Sequence, residues 1–227
     1  GNGYVDDIRG WDWVNAGTGW QGEDFSGQDN DPKDFNGHGT HVAGIVAAMT
    51  NNEYGIAGLA GGWYPEQRGC KVMALRAGWS DTVFVDGGGF YEGGRLSGST
   101  IAAAINYATQ KGATAINNSW GGGGFSSALS DAVNNALANG VVFVKSAGND
   151  ASDIPPDFVS EIPGVVVVAA TDSLDKKANF SNFGTWVDVS APGRYIYSTY
   201  SSHYTLGFAY LDGTSMSAPQ VTGLAGL

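Results

Sequence analysis

The chain has 227 residues, of which 42% are hydrophobic and 15% are charged, and its formal net charge is −11. This length and hydrophobic content suffice for a packed domain, which excludes wholesale disorder. The acidic charge argues against a nucleic-acid partner, which needs a basic face, and no apolar run is long enough to cross a bilayer. The single cysteine excludes an intrachain disulfide. We expect a monomeric globular protein with no nucleic-acid and no membrane partner.

The first half of the chain is predicted to be rich in loops around a few regular elements. Residues 1–37 are full of Gly, Asp, Asn and Trp and show no sustained period. Residues 38–49 are predicted to form a helix because apolar side chains recur there at helical spacing: Val42, Ile45, Val46 and Met49. We predict a buried strand at 71–76, a glycine-rich surface excursion at 78–98 and a helix at 100–111.

Strands and helices alternate in the second half. The predicted strands are short apolar runs at 114–118, 141–146, 165–170 and 186–189. The predicted helices lie at 127–139 and 215–227. Most of the strand runs are continuous rather than alternating, which is typical of parallel strands covered on both faces. The sequence therefore predicts an α/β fold with a mostly parallel central sheet flanked by helices, in one domain over residues 1–227.

The segment 36–44 reads Asn-Gly-His-Gly-Thr-His-Val-Ala-Gly. It places His38 between two glycines at the start of a helix, where the imidazole has room to meet a substrate and act as a base. The alternative is a helix-terminal histidine that is satisfied by hydrogen bonds. His41 follows one turn later, and a histidine pair at this spacing suits a metal. No glutamate or third histidine accompanies the pair as in H-E-x-x-H, which argues against zinc.

The segment 213–219 reads Gly-Thr-Ser-Met-Ser-Ala-Pro and places Ser215 at the start of another helix. A serine is a weak nucleophile unless a base takes its proton. The segment is not a G-x-S-x-G elbow, because Ser217 stands where the second glycine would be. Taken alone, Ser215 is also explained as the cap of an ordinary helix. Together with His38 it supplies two of the three members of a hydrolytic triad.

These two segments together resemble the subtilisin-like serine peptidases, the subtilase family. His38 matches the catalytic histidine of the family's H-G-T-H-V-A-G motif, and Ser215 matches the nucleophile of G-T-S-M-A-x-P, in which Ser217 here replaces the usual alanine. Further matches follow in the family's order, at segments 115–122, 146–150 and 190–193. The resemblance implies a three-layer subtilisin-like α/β fold and an extracellular serine endopeptidase, with His38 as general base and Ser215 as nucleophile.

The resemblance also assigns the groups that surround the substrate. Asn149 matches the residue whose side-chain amide donates to the oxyanion of the tetrahedral intermediate. The strand that pairs with an extended peptide is matched by Ser119, Trp120 and Gly121. Gly94 and Leu96, in the glycine-rich excursion, are expected to flank the peptide on its other side. We therefore expect protein or peptide substrates bound in extended form, although Trp120 is also explained as a core residue.

The third member of the triad is not evident. The family places its aspartate in a D-[ST]-G motif, and no such motif precedes His38. Asp6 and Asp7 precede His38 by close to the family's spacing, but their polar context lacks the glycine. In relatives a stretch similar to residues 6–15 follows the aspartate motif. We therefore expect that this sequence is truncated at both ends and that the isolated chain is a poor enzyme.

An acidic segment just before His38 suggests calcium. Residues 29–36 gather carboxylate and carbonyl oxygens on a tight loop, and Ca²⁺ takes roughly 6–8 oxygen ligands. The predicted ligands there are Asp12, Asp29 and Asp31. Resemblance to a second calcium loop of the family adds Asn52. The alternative is a solvated acidic loop without an ion.

Two other functions fit the same segments. One is a non-catalytic peptide-binding domain that keeps the cleft without a working triad. The other is an amidase or esterase that uses the same dyad of His38 and Ser215.

Overall fold

The computed structural model describes residues 4, 7–16, 18–25, 27–66, 68–85 and 89–227. The described helices are α1 (His38–Ala47), α2 (Gly98–Gln110), α3 (Ser127–Ala138) and α4 (Thr214–Ala225). The described strands are β1 (Trp11–Asp12), β2 (Leu75–Arg76), β3 (Gly78–Val85), β4 (Gly89–Leu96), β5 (Ala115–Asn118), β6 (Val142–Ser146), β7 (Val166–Thr171), β8 (Val189–Pro192), β9 (Ile196–Ser201) and β10 (Leu206–Leu211). None of these helices is long and apolar enough to span a membrane.

The central sheet consists of β5, β6, β7 and β8 in that spatial order, and all of its strand pairs are parallel. This confirms the predicted α/β fold with a parallel central sheet. Because the strands run in the same direction, their carboxyl ends lie at one edge, where sites of α/β proteins gather. Ser119 follows the end of β5, and Asn149 follows the end of β6. The two residues are therefore brought to the same edge.

Side chains of neighbouring residues in β6 point to opposite faces of the sheet, and each face is covered by helices. Phe143 is fully buried in a cluster with Ile105 of α2 and Val133 of α3. Val144, the next residue, is fully buried against Ala218 of α4. Both faces are therefore apolar, which explains the continuous apolar run in β6. The result is the expected three-layer arrangement of helix, sheet and helix.

Helix α1 packs against α4 and against the hairpin formed by β9 and β10. Met216 of α4 is buried against Val42 and Ile45 of α1. His41 is fully buried, and its Nε2 lies 3.1 Å from the carbonyl oxygens of Ile196 and Ala209. Burial lowers the pKa of His41, while these two hydrogen bonds oppose the shift. His41 therefore fixes α1 to the hairpin as a neutral structural histidine.

The strand predictions differ from the structure in four regions. The buried strand predicted at 71–76 is a strand only at β2, Leu75–Arg76, and these two residues are half-buried. Residues 78–98, predicted as a glycine-rich surface excursion, contain the antiparallel strands β3 and β4. A half-buried strand is recognised by alternating apolar and polar residues, and the glycines and exposed aromatic side chains of this hairpin do not follow that pattern. The antiparallel pair of β9 and β10 was not predicted at all. Strand β8 begins at Val189, where the predicted strand 186–189 ends.

Candidate active site

A carboxylate fixes the start of α1, where His38 is the first residue. Gly37 precedes the helix with a φ of 96°, and a Cβ there would lie 2.6 Å from the ring of Tyr200. The carboxylate of Asp34 accepts hydrogen bonds from the backbone N–H groups of Asn36, Gly37 and Thr40, at 3.1, 2.8 and 2.8 Å. It also accepts the Thr40 hydroxyl at 2.7 Å. Asp34 therefore caps α1, a role that the sequence reasoning did not assign.

The imidazole of His38 is partly exposed, and no described residue forms a hydrogen bond with it. Burial by the surrounding atoms lowers the pKa of His38; the negative charge of Asp34 opposes this shift, and His41 adds to it. A lowered pKa keeps the ring neutral near pH 7, which is the form that can accept a proton. The ring is thus available as a base but is not oriented by a carboxylate among the described residues.

Of the two aspartates considered for that orienting role, only one can be located in the structure. Asp6 lies outside the described residues. Asp7 lies in a short 3-10 helix, and its Oδ2 accepts the hydroxyl of Tyr107 at 2.7 Å and pairs with Nζ of Lys111 at 2.9 Å. Both partners lie at the C-terminal end of α2 and not beside His38. The interpretation of Asp7 as a triad member is therefore wrong for this structure.

Ser215 lies in the first turn of α4 and is linked to the strand end that was predicted to bind substrate. Its Oγ donates to the carbonyl oxygen of Ser119 at 3.3 Å. In return, the hydroxyl of Ser119 donates to the carbonyl oxygen of Ser215 at 2.8 Å. The contact made by the Ser215 hydroxyl is long, so a neighbouring base that comes within reach can replace it. The packing of α1 on α4 brings the His38 and Ser215 helices together, but no hydrogen bond joins the two side chains.

Asn149 and the start of α4 form a pair of donors. The Asn149 Oδ1 accepts the backbone N–H of Thr214 at 2.9 Å and its hydroxyl at 3.0 Å, which fixes the orientation of the amide. A methyl group placed on Gly213 would lie 3.5 Å from Nδ2 of Asn149 and 3.6 Å from the backbone nitrogen of Ser215. Both nitrogens therefore border the space that Gly213 leaves open. Such a pair suits an oxygen that becomes negative during a reaction.

A cavity of about 520 Å³ begins next to Ser119. Its lining includes Trp120, Gly121, Gly94 and Leu96, which are four of the five predicted substrate residues. The indole N–H of Trp120 donates to Oδ1 of Asn118 at 3.2 Å, so the ring is fixed beside the cavity. Trp120 also packs against the main core, which means that both interpretations of this residue apply.

A buried lysine and a buried aspartate, neither of them predicted, lie behind this cavity. Lys145 in β6 is fully buried, and its Nζ donates to the carbonyl oxygens of Trp120 and of Ser146. The same Nζ lies 3.2 Å from Oδ2 of Asp157, which lines the cavity. Burial lowers the pKa of Lys145, and the Asp157 carboxylate opposes the shift. The sequence signal for this buried ion pair was a lysine inside the otherwise apolar run 141–146.

Asp12 does not fit the predicted calcium site. Its carboxylate is buried, pairs with Arg76 and accepts the backbone N–H of Val14 at 2.7 Å. Arg76 also pairs with the buried Glu23 at 2.5 Å. Burial raises the pKa of Asp12 to about 6, and the hydrogen bond from Val14 and the charge of Arg76 oppose this shift. The negative charge at Asp12 is therefore already matched by arginine, which corrects its assignment as a metal ligand.

Two of the other predicted calcium ligands accept hydrogen bonds within local turns. Oδ1 of Asp29 accepts the backbone N–H of Asp31 at 2.8 Å, and Oδ1 of Asn52 accepts that of Tyr54 at 3.1 Å. Within the part of the chain that the structure describes, no three His, Cys, Asp or Glu side chains come together as a metal centre. Calcium at Asp29, Asp31 and Asn52 stays a prediction.

Comparison with known proteins identifies the family. Residues 16–227 match the profile of the Subtilase family. The chain belongs to the subtilase family. In this subtilase, the predicted nucleophile, the predicted oxyanion donor and the predicted substrate strand are adjacent, as the contacts among Ser119, Asn149 and Ser215 describe.

Two curated relatives are similar over most of this subtilase. It is 44% identical over 207 residues to a thermophilic serine proteinase from Bacillus sp. (strain AK1) and 42% identical over 206 residues to thermitase from Thermoactinomyces vulgaris. Each alignment covers 91% of this chain, but the chain spans only 46% and 66% of the relatives' lengths. An extracellular protease from Xanthomonas campestris is 42% identical over 199 residues, covering 84% of this chain and 32% of that protein.

Solved structures support the same fold. A protease from Pseudoalteromonas arctica superimposes with a TM-score of 0.74 at 31% identity, covering 100% of this subtilase and 74% of that chain. A cold-adapted subtilisin-like serine proteinase superimposes with a TM-score of 0.61 at 32% identity, covering 84% and 60%. The subtilisin-like α/β fold that was predicted from the sequence is therefore confirmed.

Proposed function

We propose that this subtilase is a serine endopeptidase that cleaves peptide bonds through an acyl-enzyme on Ser215. The observation that carries the proposal is the pair of nitrogens from Asn149 and Ser215 beside Gly213. These donors lie next to a hydroxyl that only a long hydrogen bond to Ser119 holds, and the two residues that follow Ser119 line a cavity large enough for a side chain. A serine hydroxyl, two oxyanion donors and a substrate cavity are the parts that acyl transfer needs.

The proposed reaction follows from these positions. His38 takes the proton of the Ser215 hydroxyl as Oγ attacks the carbonyl carbon of the substrate. The carbonyl oxygen becomes negative and accepts hydrogen bonds from Nδ2 of Asn149 and the backbone N–H of Ser215. The intermediate collapses when the C–N bond breaks and the leaving amine takes the proton from His38. A water molecule, deprotonated by His38, then hydrolyses the ester and releases Ser215.

Covalent labelling tests the nucleophile directly. We expect a fluorophosphonate probe to form an adduct on Ser215 and to lose it in Ser215→Ala. Ser217→Ala is the matched control, because Ser217 lies two residues further in the same motif and is fully buried. An adduct that survives in Ser215→Ala, or no adduct at all in the native protein, would overturn the proposal. The second of these results would favour a non-catalytic peptide-binding domain.

A protein digest separates the peptidase from an amidase or esterase. We expect casein to be cut at internal bonds, with new N-termini visible by mass spectrometry. Turnover of small esters without any cut in casein would favour the esterase. The strand end at Ser119 and the cavity beside it support an extended peptide as the substrate.

Secretion, a monomeric state and the lack of nucleic-acid or membrane partners belong to the same proposal. They are supported by the net charge of −11 and by the name of the Xanthomonas relative, an extracellular protease. Sedimentation at several concentrations tests the monomer, and recovery of the protein from culture medium tests secretion. A dimer that does not dissociate on dilution would contradict the first expectation.

Calcium is proposed only for Asp29, Asp31 and Asn52, since Asp12 is occupied by Arg76. A bound ion stabilises the native state by mass action, so a chelator should lower the melting temperature. We expect Asp31→Asn to remove most of that response, and Asp131→Asn, on the exposed face of α3, to leave it unchanged. The same melting temperature with and without chelator would contradict calcium binding.

A further inference from the structure

The buried pair of Lys145 and Asp157 connects two walls of the cavity, one at Trp120 and one at Asp157 and Val159. On one side, Nζ of Lys145 donates to the carbonyl oxygen of Trp120 and lies 4.8 Å from the centre of its ring. On the other side, Nζ lies 3.2 Å from Oδ2 of Asp157, whose Oδ1 accepts the backbone N–H of Val159 at 3.1 Å. Trp120, Asp157 and Val159 all line the cavity. The ammonium group therefore lies between the wall that binds substrate and the opposite wall.

The charges of this pair cancel each other inside the protein. A buried carboxylate without a partner is strongly destabilising, and Lys145 is the cation that removes this cost for Asp157. The described residues align no hydrogen-bond donor with Oδ2 of Asp157, so the nearby ammonium is what balances this oxygen. Arg95 also lines the cavity, but it is half exposed and pairs with Asp81 at 3.3 Å. Solvent screens that outer pair, whereas the inner pair is hidden from water.

The pair itself is buried, and Gly121 brings the surface of the cavity close to it. A methyl group placed on Gly121 would lie 3.9 Å from both Oδ2 of Asp157 and Nζ of Lys145. Gly121 is two residues after Ser119, whose carbonyl oxygen accepts the Ser215 hydroxyl. A substrate side chain that enters the cavity next to the cleaved bond therefore passes Gly121 and lies close to the buried pair, so an unbalanced charge in the pair would act on it.

We propose that Lys145 determines the specificity of this cavity, because it neutralises Asp157 and so makes the cavity select an uncharged side chain next to the cleaved bond. The proposal rests on the proposed function, since it names the substrate class of the same site. It has a reciprocal consequence. Loss of Lys145 leaves a negative wall that accepts cationic side chains, and loss of the Asp157 charge leaves a positive wall that accepts anionic ones.

Three acetylated peptides test the proposal, differing only in the residue on the acyl side of the cleaved bond: Met, Lys or Glu. We expect the native protein to prefer Met. In Lys145→Met, the kcat/KM ratio of the Lys peptide to the Met peptide should rise at least about tenfold, and in Asp157→Asn the ratio for the Glu peptide should rise similarly. The double variant carries neither charge and should return to the native preference. Lys71→Met, at an exposed lysine, is the control.

The double variant keeps the test valid where a single variant fails to fold, because it leaves no buried charge unpaired. A purely structural role of the pair would change the three substrates equally and would not produce opposite shifts in the two single variants. Identical ranking of the three peptides in the native protein, Lys145→Met and Asp157→Asn would overturn the proposal. So would a native protein that prefers the Lys peptide.

Equilibrium binding separates this inference from the proposed function. The acetylated tripeptides Ala-Ala-Met, Ala-Ala-Lys and Ala-Ala-Glu represent cleavage products, and their binding is measured by calorimetry without any turnover. Binding preferences that shift as predicted while no peptide is cut would overturn the endopeptidase and support the cavity assignment. Cleavage with unshifted binding preferences would overturn the cavity assignment alone. If no tripeptide binds to any variant, the cavity is not a peptide site and the inference is wrong.

Discussion

The serine side and the histidine side of the candidate active site are organised to different degrees. Ser215 and Asn149 are held by hydrogen bonds from α4 to the ends of β5 and β6, and every contact lies among described residues. His38 has a fixed backbone, because Asp34 caps its helix, but its imidazole has no hydrogen-bond partner among those residues. The proposed oxyanion donors are therefore preorganised, whereas no described residue sets the tautomer or the orientation of the proposed base.

This difference teaches which parts of the catalysis depend on short-range contacts. A donor pair such as Asn149 and the Ser215 N–H needs only two neighbouring strand ends and one helix start. A histidine base needs a third group that holds the ring, and a ring without that group loses on the order of 10⁴ in turnover. We therefore expect the donors at Asn149 and Ser215 to stabilise the oxyanion fully. We expect the contribution of His38 to turnover to depend on the groups that surround its ring.

The largest effect is expected when the dyad itself is removed. In a form of the protein whose His38 ring is oriented by a carboxylate, Ser215→Ala and His38→Ala should each lower kcat on the order of 10⁶-fold, and the double variant should be no worse than either alone. That magnitude was established for subtilisin itself, so it is a value for the family rather than for this chain. Steady-state kinetics on a peptide substrate measure it. A small effect of His38→Ala beside a large effect of Ser215→Ala would mean that the ring is not coupled to the serine.

The next effect tests the preorganised pocket. Asn149→Ala removes one of the two oxyanion donors and should lower kcat about 10²–10³-fold with little change in KM, a range that also comes from subtilisin. Asn134→Ala, on the exposed face of α3, is the control and should leave kcat unchanged. If Asn149→Ala raises KM and leaves kcat alone, then Asn149 binds substrate and does not stabilise the oxyanion.

A weaker effect is expected at Thr214, which precedes Ser215 and holds the amide of Asn149 in place. The hydroxyl of Thr214 donates to Oδ1 of Asn149 and accepts the backbone N–H of Gly148 at 3.1 Å. Thr214→Val keeps the shape but leaves both groups without this partner, which should lower kcat about tenfold. Thr214→Ser keeps the hydroxyl and should remain near the native rate. Equal rates for the two variants would mean that the hydroxyl does not position Asn149.

The sequence predicted the central layers well because their residues are apolar on both faces. The run at Phe143 and Val144 was recognised as a buried parallel strand, and the helix that carries His38 was placed within two residues of its end. Ser119, Asn149 and Ser215 were grouped by family resemblance, and the contacts bring them together. The hairpin of β3 and β4 was missed because its glycines and exposed aromatic residues carry no apolar alternation.

Buried charges were the least predictable part of the site. Asp12 was assigned to calcium because a carboxylate near an acidic loop is an obvious ligand, but Arg76 is its partner from 64 residues away. Lys145 was passed over because it interrupts an apolar strand by one residue, and Asp157 pairs with it from the opposite wall. Long-range ion pairs depend on tertiary packing, so one sequence without the fold does not reveal them.

The smallest effect is expected at Asp34, the carboxylate among the described residues whose charge acts on the pKa of His38. Asp34→Asn keeps an acceptor for the start of α1 and removes the negative charge. Because that charge raises the pKa of His38, its removal should lower the pKa, and the acid limb of the kcat/KM profile should move to lower pH. Asp34→Ala removes the acceptor as well, and it should lose about 1 kcal/mol of unfolding free energy in addition. An acid limb that stays in place in both variants would mean that a group other than His38 titrates there. That group, and not His38, would then be the base that the less organised side of the site supplies.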